Sequence, residues 1–159
     1  GDYSMLALIP ERDPILTQVA APVEKFDQSL SYICDQMERI RIAHNGIAIA
    51  APQVGVSQRI VVLSFEPHVL INPVILESSG KMKFREGCLS FPNLWLDIER
   101  PSKVVVEYQT IDNVNERRMF GGTPAIVVQH EIDHVDGIVF TSKVNSIRLA
   151  LAEKERRRK

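Results

Sequence analysis

Apolar positions follow two different periods along the chain. Leu30, Ile33, Met37 and Ile40 recur at steps of three and four, the spacing of one helical face, which predicts a helix over residues 29–43. Asp27 or Ser29 caps its start, and Asn45 with Gly46 ends it. Beyond Gly46 the pattern changes to short β-rich runs at residues 59–63, 69–76, 103–108 and 116–120, the last two flanking a hairpin turn at Asp112 and Asn113. Thr123 reads as the cap of a second helix with Pro124 at its first position and Gly137 as its terminator. A last helix is expected from residue 142 to the basic end, with Val144, Ile147 and Leu151 facing inward. The order helix, strands, helix, helix predicts an α+β fold in which antiparallel sheets pack around the middle helix. No repeat or low-complexity linker interrupts it, so residues 1–159 read as one domain.

Composition narrows the class. Apolar residues make up 45% of the 159 and charged residues 25%, ordinary globular usage. No apolar run approaches the roughly 20 residues that span a bilayer. Two cysteines, Cys34 and Cys88, cannot build a disulfide framework, so a reducing compartment is expected, with Cys34 a small buried hydrophobe beside the helical stripe. Residues 1–4 read as an expression remnant ahead of a native start at Met5. The net charge of -1 conceals an asymmetry: residues 148–159 hold six Lys/Arg against two Glu, a local +4, and leave -5 on the remaining body.

The second helix contains His130-Glu131-Ile132-Asp133-His134, an HExxH pattern. Four residues are about 400° of helical rotation, so both imidazoles point to one side and can share one metal ion. Glu131, about 100° round, is placed to reach a water on that ion. The apolar run Ala125, Ile126, Val127, Val128 marks the helix as interior, where two histidines need polar partners. A catalytic site needs a third protein ligand. Continuation to a third histidine is excluded because Phe140 stands at that position. Glu153 or Glu155 would serve a thermolysin-like peptidase but sit among cations near the end of the chain. Cys88, in Glu86-Gly87-Cys88-Leu89-Ser90, read as a loop, is the preferred candidate, since a thiolate completes two imidazoles well.

With these residues in view the chain resembles the peptide deformylases, metal hydrolases that remove the formyl group from N-terminal methionine. Three blocks carry the resemblance: residues 46–53, Gly-Ile-Ala-Ile-Ala-Ala-Pro-Gln; residues 86–90, Glu-Gly-Cys-Leu-Ser; and residues 129–134, Gln-His-Glu-Ile-Asp-His. It extends over nearly the whole chain, and Phe91-Pro92 with Ile98-Glu99-Arg100-Pro101 looks most like the branch shared by bacterial and plant-organelle members. Two departures stand out. Ala48 occupies a position where the family usually has glycine, and the connection between Leu63 and Val69 is short.

The resemblance implies a site and a mechanism. Cys88, His130 and His134 would hold a divalent metal, Fe2+ first by analogy with Zn2+, Ni2+ or Co2+ as alternatives, and lower the pKa of a water toward neutrality. Glu131 would move the proton, while the Gln53 amide and the Leu89 backbone N–H would stabilise the oxyanion. An N-formylmethionyl peptide would add as a strand along Gly46, Ile47 and Ala48 with Glu86 and Gly87 opposite, its methionine walled by Ile47, Phe84, Ile126 and Val127. Arg100 and Asp133 would pair behind the metal helix. A catalytically weakened peptide-binding relative is the rival from another class, with Ala48 its suspicious feature. The resemblance also implies a cytoplasmic monomer with no membrane partner, of bacterial, phage or processed organellar origin. The basic closing segment is read either as a solvated helix end or as a dock for ribosomal RNA.

Overall fold

The computed structural model describes residues 5–158; residues 1–4, read above as an expression remnant, and Lys159 lie outside the described residues. The first helix, α1 (Gln28–Ala43), starts where the Asp27 carboxylate accepts from the Ser29 and Leu30 N–H groups at 3.0 and 3.3 Å. It ends at His44, followed by Asn45 at φ 55. Seven strands follow: β1 (Ala48–Ala50), β2 (Ile60–Leu63), β3 (Val69–Ser79), β4 (Met82–Cys88), β5 (Phe91–Arg100), β6 (Lys103–Gln109) and β7 (Asn115–Gly121). Two more helices, α2 (Thr123–Val135) and α3 (Ser146–Arg157), complete the chain.

Five strands pair in the order β1-β2-β3-β6-β7, antiparallel throughout, and β4 with β5 forms a separate hairpin. Strand alternation explains why the large sheet lies between two helices. Ile49, Ile60, Val62 and Ile71 turn to the face covered by Leu30, Cys34, Met37 and Ile40 of α1. Ala48, Ala50, Val61, Leu63, Leu70, Val104 and Val106 turn to the other, against Ala125, Val128, Ile132 and Val135 of α2. Strand β2, covered on both faces, is an unbroken apolar run for that reason. Cys34 is buried as expected, and burial, then the charge of Asp35, push its thiol up to about 12. The α+β arrangement and the interior HExxH helix therefore match the expectation. Among the described residues no helix is long and apolar enough to cross a membrane.

Four local expectations require correction. Residues 86–88 are the end of strand β4 rather than a loop, because β5 pairs with them through a bulge between Glu86 and Cys88. β1 and the β4–β5 hairpin were absent from the predicted strands: β1 is only three residues long, and β4 intersperses charged Lys83, Arg85 and Glu86 among its apolar residues. Thr123 is the first residue of α2, not its cap; Gly122, at φ 67, precedes it and no side chain caps the helix. The final helix begins at Ser146, capped by the Asn145 side chain accepting from Arg148 N–H at 2.8 Å, after a short 3-10 turn at Phe140–Lys143.

The inward face of α3 also differs. Ile147 and Leu151 are 72% and 61% exposed, whereas Leu149 and Ala152 join Val144 against the β5 cluster. Two arginines set this rotation: Arg148 donates to the Asp97 carbonyl, and Arg156 Nε donates to the Pro92 carbonyl at 3.0 Å. Fully buried Met37 and exposed Leu151 should therefore respond oppositely to truncation. In denaturant unfolding Met37→Ala is expected to lose about 2–5 kcal/mol, and Leu151→Ala to stay within about 0.5 kcal/mol of the parent.

Candidate metal centre

Burial of α2 between the sheet and the β4–β5 hairpin brings three ligand-type side chains together. One donor atom from each of Cys88, His130 and His134 lies within 4.8 Å of the other two. His130 and His134 stack one helical turn apart with ring centroids separated by 5.1 Å, and Cys88 Sγ is 3.3 Å from His134 Nε2. Cys88 arrives from the end of β4, immediately before the Leu89-Ser90 turn of the hairpin. A thiol and two imidazoles suit a divalent transition ion, and the helix supplies both imidazoles without bending.

Behind this trio runs a chain of buried charge. Glu86 Oε1 accepts from His130 Nδ1 at 2.9 Å, which leaves the lone pair of His130 Nε2 for the ligand position. Arg100 donates to both oxygens of Glu86, Nε at 2.6 Å and Nη2 at 3.0 Å, and through Nη1 to Asp133 Oδ2 at 2.8 Å. Lys143 Nζ approaches the same Asp133 oxygen at 3.3 Å. Burial alone would raise the Glu86 carboxyl, but hydrogen bonds from His130 and Arg100 outweigh it and hold it below the usual range. Burial alone would lower His130; hydrogen bonds with Cys88 and Glu86 instead hold it well above its ordinary value. Burial, joined by the charges of His130 and Arg100, pushes His134 well below.

Glu131 is the opposite case. Its Oε1 is buried and has no hydrogen-bond partner among the described residues, and burial pushes its carboxyl up to about 7 despite the pull of His130 and Arg100. A carboxyl poised near neutrality and facing a polar gap is suited to accept and return a proton. His134 Nδ1 is likewise buried and unpartnered. These orphaned atoms beside a Cys/His/His trio fit a metal with its attendant water better than a closed structural core.

Gln53 connects this centre to the sheet. Its Oε1 accepts from Ala50 N–H at 2.8 Å, and its Nε2 donates to Ser90 Oγ at 3.1 Å and toward Cys88 Sγ at 3.6 Å. Its carbonyl end therefore braces the Ala51–Val54 turn while its amide end faces the site.

A cleft of about 560 Å3 opens onto these groups, with Gly46, Ile47 and Ala48 on one side, the segment from Phe84 to Leu89 on the other, and Ile126, Val127, His130 and Glu131 as its floor. All the residues expected to bind substrate border it, but not equally. Ile126 is 1% exposed, while Ile47, expected as a pocket wall, is 53% exposed and stands at the rim. Ala48 both borders the cleft and joins the core cluster against α2. Glu86, expected to contact substrate, is committed instead to His130 and Arg100. Arg100 and Asp133 pair as expected.

Ser90 and Trp95 were not singled out from sequence. Ser90 lay inside a quoted motif without an assigned partner, and Trp95 is an outward position of the unrecognised strand β5, where its ring lies across Gly87. The alternative ligands Glu153 and Glu155 sit on α3, paired with Arg156 and Arg158. Phe140, at the excluded third-histidine position, packs its ring against Phe91 and His130, each with centroids 5.5 Å away.

Comparison with known proteins agrees with this geometry. Residues 5–150 match the family model described as polypeptide deformylase. A peptide deformylase of Thermotoga neapolitana is 39% identical over 145 residues, covering 89% of this chain and 88% of its own. One of Caldicellulosiruptor bescii is 46% identical over 134 residues, covering 83% and 81%. Among solved structures, a Synechococcus elongatus peptide deformylase in complex with actinonin superposes with a TM-score of 0.90 at 35% identity, covering 95% of this chain and 85% of that one. The Met-Ala-Ser-bound class I type b enzyme of Acinetobacter baumannii superposes with a TM-score of 0.83 at 33% identity, covering 90% and 100%. Sequence blocks, fold and the Cys/His/His trio all lead to one assignment: the chain belongs to the polypeptide deformylase family.

Proposed function

We propose that this chain hydrolyses the formyl group from N-formylmethionyl peptides and releases formate, acting as one catalytic domain and a cytoplasmic monomer. The observation that carries the reading is the convergence of Cys88, His130, unpartnered Glu131 and Gln53 on one cleft, with His134 completing the Cys/His/His trio behind it. Cys88, His130 and His134 would hold the ion, with Fe2+ the first choice, and a bound divalent ion supplies Lewis acidity that polarises a carbonyl and lowers the pKa of a water toward neutrality. Glu131 takes a proton from the attacking water and returns it to the leaving amine, a role suited to a carboxyl raised to about 7. Gln53 Nε2 and the Leu89 N–H donate to the oxygen that gains charge; losing one such donor costs about 10² to 10³ in rate. Glu86 keeps His130 in the tautomer that offers Nε2, and Arg100 with Asp133 holds Glu86 and α2 in register.

The peptide lies as an added strand between the free edge of β1 and β4, with methionine toward Ile126, Val127 and Phe84. The Acinetobacter baumannii relative, solved with Met-Ala-Ser bound, supports a peptide of this class. On α3, Arg148 and Arg156 are spent on bonds within the protein and Arg158 pairs with Glu155, so an RNA contact would fall first to Lys154 and Arg157.

Anaerobic, iron-loaded protein should release formate from formyl-Met-Ala-Ser, and a fully metallated sample without turnover overturns the assignment. Cys88→Ser should lose metal, read by elemental analysis, together with activity; a thermolysin-like enzyme would stay metallated. Glu131→Gln should keep its metal yet fall by at least about 10²-fold in kcat, the lower range of general acid–base contributions. Ribosome co-sedimentation should drop steeply between about 50 and 200 mM salt and weaken in a Lys154→Ala/Arg157→Ala double variant. Salt-insensitive association counts against that partner.

A further inference from the structure

Helix α1 ends beside the free edge of β1, and one side chain from its last turn reaches across to that edge. In an antiparallel pair, alternate residues turn their main-chain groups toward the neighbouring strand. Ser64 N–H donates to the Ile47 carbonyl at 2.9 Å, and Ile49 lies opposite Val62, so Ile47 and Ile49 are the residues turned toward β2. Gly46, Ala48 and Ala50 therefore turn theirs to the open edge.

That edge is already partly filled. Ala50 N–H donates to Gln53 Oε1 at 2.8 Å. At Gly46 both groups belong to one residue: its N–H donates to the Arg41 carbonyl at 2.9 Å, and its C=O accepts from Arg41 Nη1 at 2.9 Å. Among the described residues none bonds the main chain of Ala48 on this side. The Arg41 guanidinium is held in place from behind. Its Nε donates to Glu38 Oε2 at 2.8 Å and its Nη2 to Glu38 Oε1, a two-point pairing. Glu38 Oε2 is also 3.6 Å from His68 Nε2, and the other ring nitrogen of His68 is 2.7 Å from the Leu63 carbonyl. Glu38 thus both braces the arginine and ties α1 to the loop between β2 and β3.

We propose that Arg41 ends the substrate-binding edge of β1 at Ala48, by occupying the Gly46 carbonyl that an extended peptide would otherwise meet two residues beyond its formylmethionine. The inference rests on the assignment of the β1 edge to the peptide. Strand pairing repeats every second residue. A peptide whose formyl end lies at Gln53 and whose methionine pairs with Ala48 runs toward Gly46 and brings its third residue opposite it. Arg41 has taken that position, so the third residue gains no main-chain bond from β1. Selection by β1 then rests on formylmethionine and its immediate successor.

The test is the ratio of kcat/KM for formyl-Met-Ala-Ser-amide to that for formyl-Met-Ala-amide, measured on metal-loaded enzyme. In the parent protein the ratio should lie close to unity. Arg41→Met keeps the stem but cannot donate, and should raise the ratio by about two- to tenfold, the worth of one hydrogen bond. Arg41→Lys keeps a donor on a long stem and should stay near the parent ratio. If Arg41→Met does not fold, judged by near-ultraviolet circular dichroism, Arg41→Gln, too short to reach Gly46, takes its place. A parent ratio well above unity, an unaltered ratio in Arg41→Met, or an equal loss with both peptides each overturns the inference; the last would mean that Arg41 only steadies Gly46. No formate from either peptide with the parent enzyme overturns the underlying functional reading, and this inference with it.

Discussion

Glu86 is only 3% exposed, and a carboxylate so far from water must be answered within the protein or lose its charge. Arg100 answers it through two nitrogens, His130 through one, and Arg100 extends the network to Asp133 on the same helix as the histidines. Two residues of the β4–β5 hairpin are thereby tied to two of α2. The metal trio inherits its geometry from that junction, since Cys88 lies two residues beyond Glu86 and the histidines flank Asp133. Removing one partner of such a network strands a buried charge, which typically costs about 3–5 kcal/mol. Its worth here is orientation: the carboxylate fixes which nitrogen of His130 bears the proton and which faces the metal.

Polar groups in the cleft are either locked or left open, and the division follows function. Gln53 uses its carbonyl to brace the turn that carries it and keeps its amide against Ser90 and Cys88. Gly46 is locked by Arg41, and Ser64 takes the Ile47 carbonyl toward β2. Glu131 and the edge of Ala48 remain for other partners. Glycines border the cleft where larger side chains lie across the backbone: a Cβ on Gly46 would meet Leu89 at 2.6 Å, and one on Gly87 would meet Trp95 at 2.5 Å. Either addition would displace the rim that flanks the proposed peptide strand.

The charge asymmetry of the chain has a partly internal explanation. Arg148 and Arg156 pin α3 to β5, and Arg156 also pairs with Glu11 near the start of the described chain, at 3.1 Å through Nη1. In α3 (Ser146–Arg157) the cations therefore divide between anchoring and display, and Ile147 and Leu151 are turned outward while Leu149 and Ala152 pack against the β5 cluster.

Much of this was legible in the sequence because it depends on local spacing. The 3.6-residue period of α1, the Asp27 cap, the apolar run of β2, and the one-turn separation of His130 and His134 follow from backbone geometry that no distant residue has to supply. The motif blocks likewise group Cys88 with the two histidines. Tertiary structure decided what local pattern cannot encode. A three-residue strand such as β1 exists only because β2 pairs with it. Strand β4, with three charged residues among its seven, exists only because β5 does. The Glu86 carboxylate bonds His130 and Arg100 because burial left it no water to face. The face of α3 was set by two arginine bonds to carbonyls more than fifty residues away. Short-range geometry repeats along the chain and can be read from it, whereas pairing partners, desolvation and helix rotation arise only once distant segments compete for the same space.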